Sequence, residues 1–291
     1  MIFIVRVSDS ERLSYSHKIF INVKIFDSMK RQVLLLILLT VLSSCGTSPS
    51  TEVIKDITFS ECKDCKGDDI KLKLDIYRPD SKCLPVILWV HGGGMYIGSK
   101  DAYWDPVSFL AEAMMARGYI FVSMDYRLNP EWEKQDAFKE TIKNAAEDVS
   151  TAVEWIRSNA RKYGMDSDRI ILAGHSAGAE IVANYYYSNS LLDDDASDKS
   201  GIVAVISVSG NRLFYDGERN TGTGKAPCLI IHGDSDDINP FSDAEVLCTQ
   251  LGSKARMVIM PGNGHTWTET DTSKSFLIDN MSSFIADYAS R

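Results

Sequence analysis

Ile170-Ile171-Leu172-Ala173-Gly174-His175-Ser176-Ala177-Gly178-Ala179-Glu180-Ile181-Val182-Ala183-Asn184-Tyr185 is the stretch whose reading decides the fold. An apolar run leads into a glycine-flanked serine and a helix-compatible run leads out. The order is strand, tight turn, helix. In that context G-x-S-x-G lifts a serine hydroxyl clear of a sheet on a strained turn. A side chain at Gly174 or Gly178 would collide with neighbouring backbone there, and the serine itself must take unusual dihedrals.

Upstream, Leu84-Pro85-Val86-Ile87-Leu88-Trp89-Val90 reads as a buried strand running into His91-Gly92-Gly93-Gly94. Consecutive glycines let backbone N–H groups face a ligand without side-chain obstruction, and a loop of this type supplies oxyanion donors beside a nucleophilic serine. The competing use of such glycines, a phosphate-binding loop, requires a lysine–serine pair that does not follow here.

Chain order selects the base. The five histidines are His17, His91, His175, His232 and His265. The order serine, acid, histidine leaves only His265, in Gly262-Asn263-Gly264-His265-Thr266, after both partners. Three carboxylates, Asp234, Asp236 and Asp237, lie just past the apolar strand Cys228–His232, where a carboxylate can orient an imidazole. Spacing alone does not choose among them.

With these residues in place the chain resembles the α/β-hydrolase superfamily. The likeness is closest to carboxylesterases with an H-G-G-G loop, including the hormone-sensitive-lipase-like and feruloyl/acetyl-xylan-esterase-like groups. It covers roughly residues 68–289, through Asp75-Ile76-Tyr77-Arg78-Pro79, Asp125-Tyr126-Arg127-Leu128 and Tyr163-Gly164-Met165-Asp166. In such families the acid sits in H-G-x-x-D-x-x-x-P, here His232 to Pro240, which implies Asp236. Asp237 is the fallback, and Asp234 is expected to serve a turn. The resemblance further implies Ser176 as nucleophile, His265 as base, and the N–H groups of Gly93, Gly94 and Ala177 as oxyanion donors. Two departures are Met95, where an aromatic residue commonly follows the glycines, and Ala179, where a further glycine is common. Both are expected to bear on pocket shape.

Outside this core, Gln32 to Leu42 is an uncharged apolar run between Lys30-Arg31 and Ser43-Ser44-Cys45-Gly46. Basic residues, a short apolar core and small residues describe a secretory signal, too short for a comfortable membrane span. Leu42-Ser43-Ser44-Cys45 also resembles a bacterial lipobox, which implies lipidation at Cys45 and attachment to the cell envelope. Residues 1–28 do not fit that design and read as an over-annotated upstream segment, with translation expected from Met29. The expected layout is a signal over 29–44, a tether over 45–56 and a catalytic domain over 57–291. Without residues 1–44 the chain has 25 basic and 37 acidic residues, a net charge of −12. Such a surface repels phosphate backbones, so nucleic acid is excluded as a partner.

Of six cysteines, Cys62, Cys65 and Cys83 are candidates for a disulfide in an exported compartment. A single C-x-x-C is weak evidence for zinc, and neither metal nor cofactor is implied. Asp193-Asp194-Asp195-Ala196-Ser197-Asp198 reads as a solvated acidic loop rather than a calcium site.

Ile70–Ile76 alternates as a half-exposed strand. Further strands are expected over Pro85–Val90, Tyr119–Met124, Arg169–Ala173, Ile202–Val208, Cys228–His232 and Arg256–Met260. Helices are expected near Pro106–Arg117, Asp136–Tyr163, Ala177–Ser188, Ser242–Leu251 and Ser275–Ala289. Alternating elements predict a mostly parallel sheet with helices on both faces. Only Asn211 to Ala226 separates the sixth strand from the strand bearing the acid, so a minimal lid and an open site are expected. The sequence thus points to a serine esterase acting on small-molecule or carbohydrate esters. A serine peptidase or amidase would use the same three residues, and a non-catalytic hydrolase-fold binding protein is the remaining alternative.

Overall fold

The computed structural model describes residues 51–102, 106–133, 137–188, 191–192, 198–211, 213 and 224–289. Within them the chain forms β1 (Thr51–Lys63), β2 (Asp69–Pro79), β3 (Leu84–Val90), α1 (Val107–Met115) and β4 (Ile120–Met124). There follow α2 (Phe138–Tyr163), β5 (Met165–His175), α3 (Ala177–Tyr187), β6 (Ile202–Val208) and β7 (Cys228–Gly233). The chain closes with α4 (Phe241–Leu251), β8 (Ala255–Met260) and α5 (Asp271–Ala289).

The eight strands make one sheet in the order β1-β2-β4-β3-β5-β6-β7-β8. The β1–β2 and β2–β4 pairs are antiparallel, and the remaining pairs are parallel. The reason both faces are covered is visible in β3. Val86, Leu88 and Val90 pack into a cluster with Ile142, Val149 and Val153 of α2 and Ile181 of α3. Ile87 and Trp89 point the other way, into a cluster with Leu110 and Met114 of α1 and Phe284 of α5. Strands buried on both sides read as continuous apolar runs rather than alternating ones.

The long helix keeps the buried face expected of it: Ile142, Ala145, Ala146, Val149, Val153 and Ile156 are all fully buried. It ends at Gly164, whose φ of 73° is the left-handed conformation that glycine adopts without a Cβ clash. Arg127, past the end of β4, donates from Nε to Asp148 Oδ1 at 2.9 Å and so ties that loop to α2.

Three expectations are corrected. β1 begins at Thr51, so residues 51–56 are strand and not tether. Apart from Val53 its exposed residues are charged or polar, and only Phe59 is buried, which hides a hydrophobic period. Cys62, Cys65 and Cys83 are free thiols. Cys62 is paired to Ile70 in the β1–β2 ladder, Cys65 lies in the connecting turn, and Cys83 Sγ sits 3.8 Å from Asp166 Oδ2. Met95 is buried at 2% exposure in the α2-side core, so it packs the interior instead of shaping a pocket wall.

The expected signal, Cys45 and the residue 1–28 segment lie outside the described residues. So do residues 193–197 of the acidic loop and most of the 211–226 stretch on which the minimal lid was read.

Candidate active site

The elbow turns as its sequence requires. Ser176 has φ 53° and ψ −123°, a strained region for any residue with a Cβ. A Cβ on Gly174 would lie 2.4 Å from the Gly178 carbonyl carbon, and one on Gly178 would lie 2.0 Å from Val90 O. Only glycine lets α3 start this close to β3. The Ser176 N–H donates to Val208 O at 2.9 Å, fixing the turn to the end of β6.

Parallel pairing brings the other motifs alongside. Val90 is in register with Gly174, so the glycine loop after β3 emerges next to the serine. A Cβ on Gly92 would meet Ser176 Cβ at 3.2 Å. The loop is held by its carbonyls: Gly93 O accepts from Ile97 N at 3.1 Å, and Gly94 O accepts from Trp132 Nε1 at 2.8 Å. Gly93 (φ 110°) and Gly94 (φ 62°) both need positive φ, and so does the non-glycine Met95 (φ 62°). Tyr126 stacks on His91 at 4.4 Å and donates its hydroxyl to His91 O at 3.2 Å.

Ser176, His265 and Asp236 come together from three loops. Ser176 Oγ donates to His265 Nε2 at 2.8 Å. On the far side of the ring, Nδ1–H donates to Asp236 at 2.9 Å to Oδ2 and 3.0 Å to Oδ1. Asp236 follows β7 and His265 follows β8, so all these groups project from the carboxyl ends of strands, where open α/β sheets place their sites. Asp234 is exposed and its Oδ1 accepts from Gly262 N at 2.7 Å, a turn contact. Asp237 is exposed. Geometry thus separates three acids that spacing did not.

Asp236 is held from several directions. Burial pushes its carboxyl up, but hydrogen bonds from His232 and His265 and from the Asn239 N–H outweigh this and hold it well below the usual carboxylate range. It is therefore a fixed anion facing His265. Ala177, the third residue expected as an oxyanion donor, opens α3, where the helix leaves its first N–H groups without intrahelical partners.

Four neighbours went unread in the sequence. His175 Nε2 donates to His265 O at 3.1 Å, so the histidine inside the elbow steadies the backbone of His265. His232 Nε2 lies 3.2 Å from Asp236 Oδ2 with both side chains fully buried. Asn239 N donates to Asp236 Oδ1 at 2.8 Å. Glu180, one turn into α3, is buried, and its carboxyl is raised to about 7 by that burial against hydrogen bonds from Asn211 and Asn239. The local signal for the first two was their motif positions; for Asn239 and Glu180 no local pattern marks them. Among the described residues no cluster of His, Cys, Asp and Glu could hold a metal ion.

Comparison with known proteins agrees with this architecture. The family model described as BD-FAE matches residues 74–221. Secreted lipase 5 of Gibberella zeae is 33% identical over 162 residues, which is 50% of this chain and 28% of that protein. The chain spans between 28% and 60% of the lengths of the first curated relatives it matches. Among solved structures, esterase 2 of Thermogutta terrifontis, phosphorylated by paraoxon, superposes with a TM-score of 0.64 at 22% identity. That superposition covers 82% of this chain and 94% of that one. A truncated carbohydrate esterase from gut microbiota superposes with a TM-score of 0.60 at 18% identity, over 82% of this chain and 96% of that one.

Proposed function

The chain belongs to the BD-FAE family of the α/β-hydrolase fold, and from that premise we propose that it is a serine carboxylic-ester hydrolase working through an acyl-enzyme. The observation that carries this reading is His265 hydrogen-bonded to Ser176 on one ring nitrogen and to Asp236 on the other. Ser176 Oγ attacks the ester carbonyl carbon while its proton passes to His265 Nε2, and the Asp236 carboxylate stabilises the imidazolium. The N–H groups of Gly93, Gly94 and Ala177 receive the oxyanion. The tetrahedral intermediate collapses as the imidazolium protonates the departing alcohol. Water then attacks the acyl carbonyl with His265 again as base, releasing the acid and restoring Ser176.

Substrate class belongs to the same proposal. The short segment between β6 and β7 supports an uncovered serine, and an uncovered site buries little acyl chain, forgoing roughly 0.8 kcal/mol for each methylene left in water. We infer acetyl to butyryl esters on a bulky alcohol, carbohydrate included; the carbohydrate esterase of like fold supports the alcohol. The test is a panel of p-nitrophenyl esters from acetate to decanoate, p-nitroanilides, and acetylated and feruloylated glycans. Ester turnover falling with chain length, no anilide turnover and fluorophosphonate labelling of Ser176 are expected. Rates rising steadily to decanoate replace the short-chain reading with a lipase one, and anilide turnover replaces it with a peptidase or amidase.

The succession Lys30-Arg31, apolar run, Leu42-Ser43-Ser44-Cys45 supports lipidation at Cys45 and residence on the bacterial cell envelope. Stable attachment takes two acyl chains or more. Expressed in a Gram-negative host, the protein should take up labelled palmitate and partition into detergent, and Cys45→Ala should abolish both while leaving a soluble esterase. A mature N-terminus other than Cys45 rejects the assignment.

A further inference from the structure

Asn239 stands three residues beyond Asp236 and is buried, and its N–H, its carbonyl and its side-chain Nδ2 engage the surroundings of the acid. Its N–H donates to Asp236 Oδ1 at 2.8 Å. Its carbonyl accepts from His232 Nε2 at 2.9 Å. Its side-chain Nδ2 donates to Ser209 O at 2.7 Å and lies 3.5 Å from Glu180 Oε1. Ser209 directly follows β6, and its own N–H donates to Ile231 O of β7 at 2.8 Å. The preceding residue, Val208, is the one whose carbonyl holds the Ser176 N–H. One short stretch, Val208-Ser209, is therefore bonded to the nucleophile's turn on one side and to the acid's loop on the other.

We propose, resting on the ester-hydrolase reading above, that Asn239 is a positioning residue for the reaction, clamping the acid's loop to the end of β6 so that Asp236 meets His265 in the line that Ser176 requires. His232 completes the clamp. Both neighbours of its Nε2 are acceptors, Asn239 O and Asp236 Oδ2, so Nε2 carries a proton and donates to them; Nδ1 has no hydrogen-bond partner among the described residues. With the loop free, Asp236 would still be near His265 but not fixed in direction, and small misplacements of catalytic groups are costly, up to about 10²-fold. The clamp reaches across 30 residues of sequence to Ser209, so it also couples the register of β6 to the geometry of the acid.

The experiment compares the full chain with Asn239→Leu and Asn239→Asp on p-nitrophenyl acetate across pH 6–8. Asn239→Leu keeps the volume and the main-chain bonds but deletes the donor. It should lower kcat by about 10–100-fold with KM little changed and the fold intact by circular dichroism. Asn239→Asp places an acceptor against Ser209 O. The titratable groups around that position are Glu180 on α3, His232 on β7, Asp236 in the loop and Asp243 on α4. All three carboxyls oppose ionisation of a fourth. The variant's kcat relative to wild type should therefore climb as pH falls and the introduced carboxyl gains a proton to donate. A merely structural role produces no such slope. Asn239→Leu with wild-type kcat, or an Asn239→Asp ratio flat with pH, overturns the assignment while wild-type ester turnover leaves the function standing. A wild-type protein inert to every ester overturns both. Should Asn239→Leu fail to fold, the slope of Asn239→Asp decides alone.

Discussion

At the scale of the residue, the proposed reaction makes unequal demands on neighbouring carboxylates. Asp236 is fully buried at its side chain and bonded to His265, whereas Asp237 is exposed. Ser176→Ala and His265→Ala should each lower kcat by roughly 10⁴–10⁶, with the double variant little worse, because the two act as a unit. Asp236→Asn should cost on the order of 10⁴, and Asp237→Asn should leave kcat unchanged; the reverse pattern would assign the wrong acid. Glu180 makes a different prediction, on stability. Its carboxyl is raised to about 7 in the folded protein from an ordinary 4.5, so the folded state holds a proton that the unfolded chain has released. Stability from this group is complete below the ordinary value, falls as pH rises from there to about 7, and stays low above. Glu180→Gln should thus be more stable than wild type at pH 8, on the order of 1–3 kcal/mol, with little difference at pH 4. Urea midpoints at the two pH values check it, and an equal shift at both would place Glu180's cost in packing instead. Ser176 and His265 were legible because a local motif and chain order suffice for them. Asp236 needed the resemblance, since three acids crowd one strand end. Asn239 and Glu180 were not legible, because they meet across 59 residues of chain and no local spacing encodes such contacts.

At the scale of the element, the start of α3 is fixed by what cannot be there. A Cβ on Gly178 would sit 2.0 Å from Val90 O, which is backbone and cannot step aside. Gly178→Ala should therefore push α3 off β3, costing more than the ~1–3 kcal/mol usual for overpacking, and should abolish ester turnover. Gly118 provides the contrast. It has φ 85° but nothing within 4 Å of an added Cβ, so Gly118→Ala should cost only the backbone strain, about 1–2 kcal/mol, with kcat intact. Equal melting temperatures for the two variants would show that the close approach is not what the glycine serves. The elements themselves were largely legible, because apolar runs entering glycine turns mark strands buried on both faces. β1 was not, because a strand at the sheet's edge with a charged outer side carries little hydrophobic period. Its lysines and glutamates suit that position, since charge along an open edge discourages pairing with another chain. β2 was half legible. The alternation from Ile70 gives way to a run in which Leu74, Asp75, Ile76 and Tyr77 are all buried. There Asp75 is kept by an ion pair with Lys100 at 3.0 Å.

At the scale of the whole molecule, alternating strands and helices announced a mostly parallel sheet. The strand order did not follow from that alternation, because it depends on which strands pair and not on where they occur. That order sets a consequence for how the protein fails. β7, which carries the acid, is buried at every residue. β8, which carries the base, is last in the sheet, and among its residues only Met260 is buried. Peripheral strands open more readily than central ones, and proteins lose such parts well before the global transition. Hydrolysis should therefore fade in dilute urea while far-UV circular dichroism and the fluorescence of buried Trp89 remain native. Amide hydrogens of residues 255–260 should exchange faster than those of 228–233. A single shared midpoint for hydrolysis and circular dichroism would mean that the rim does not open alone. Otherwise activity reports on the loosest strand rather than on the fold: an assay after heating or storage would register damage that spectroscopy misses, and reinforcing β8, not the core, would be the route to a longer-lived catalyst.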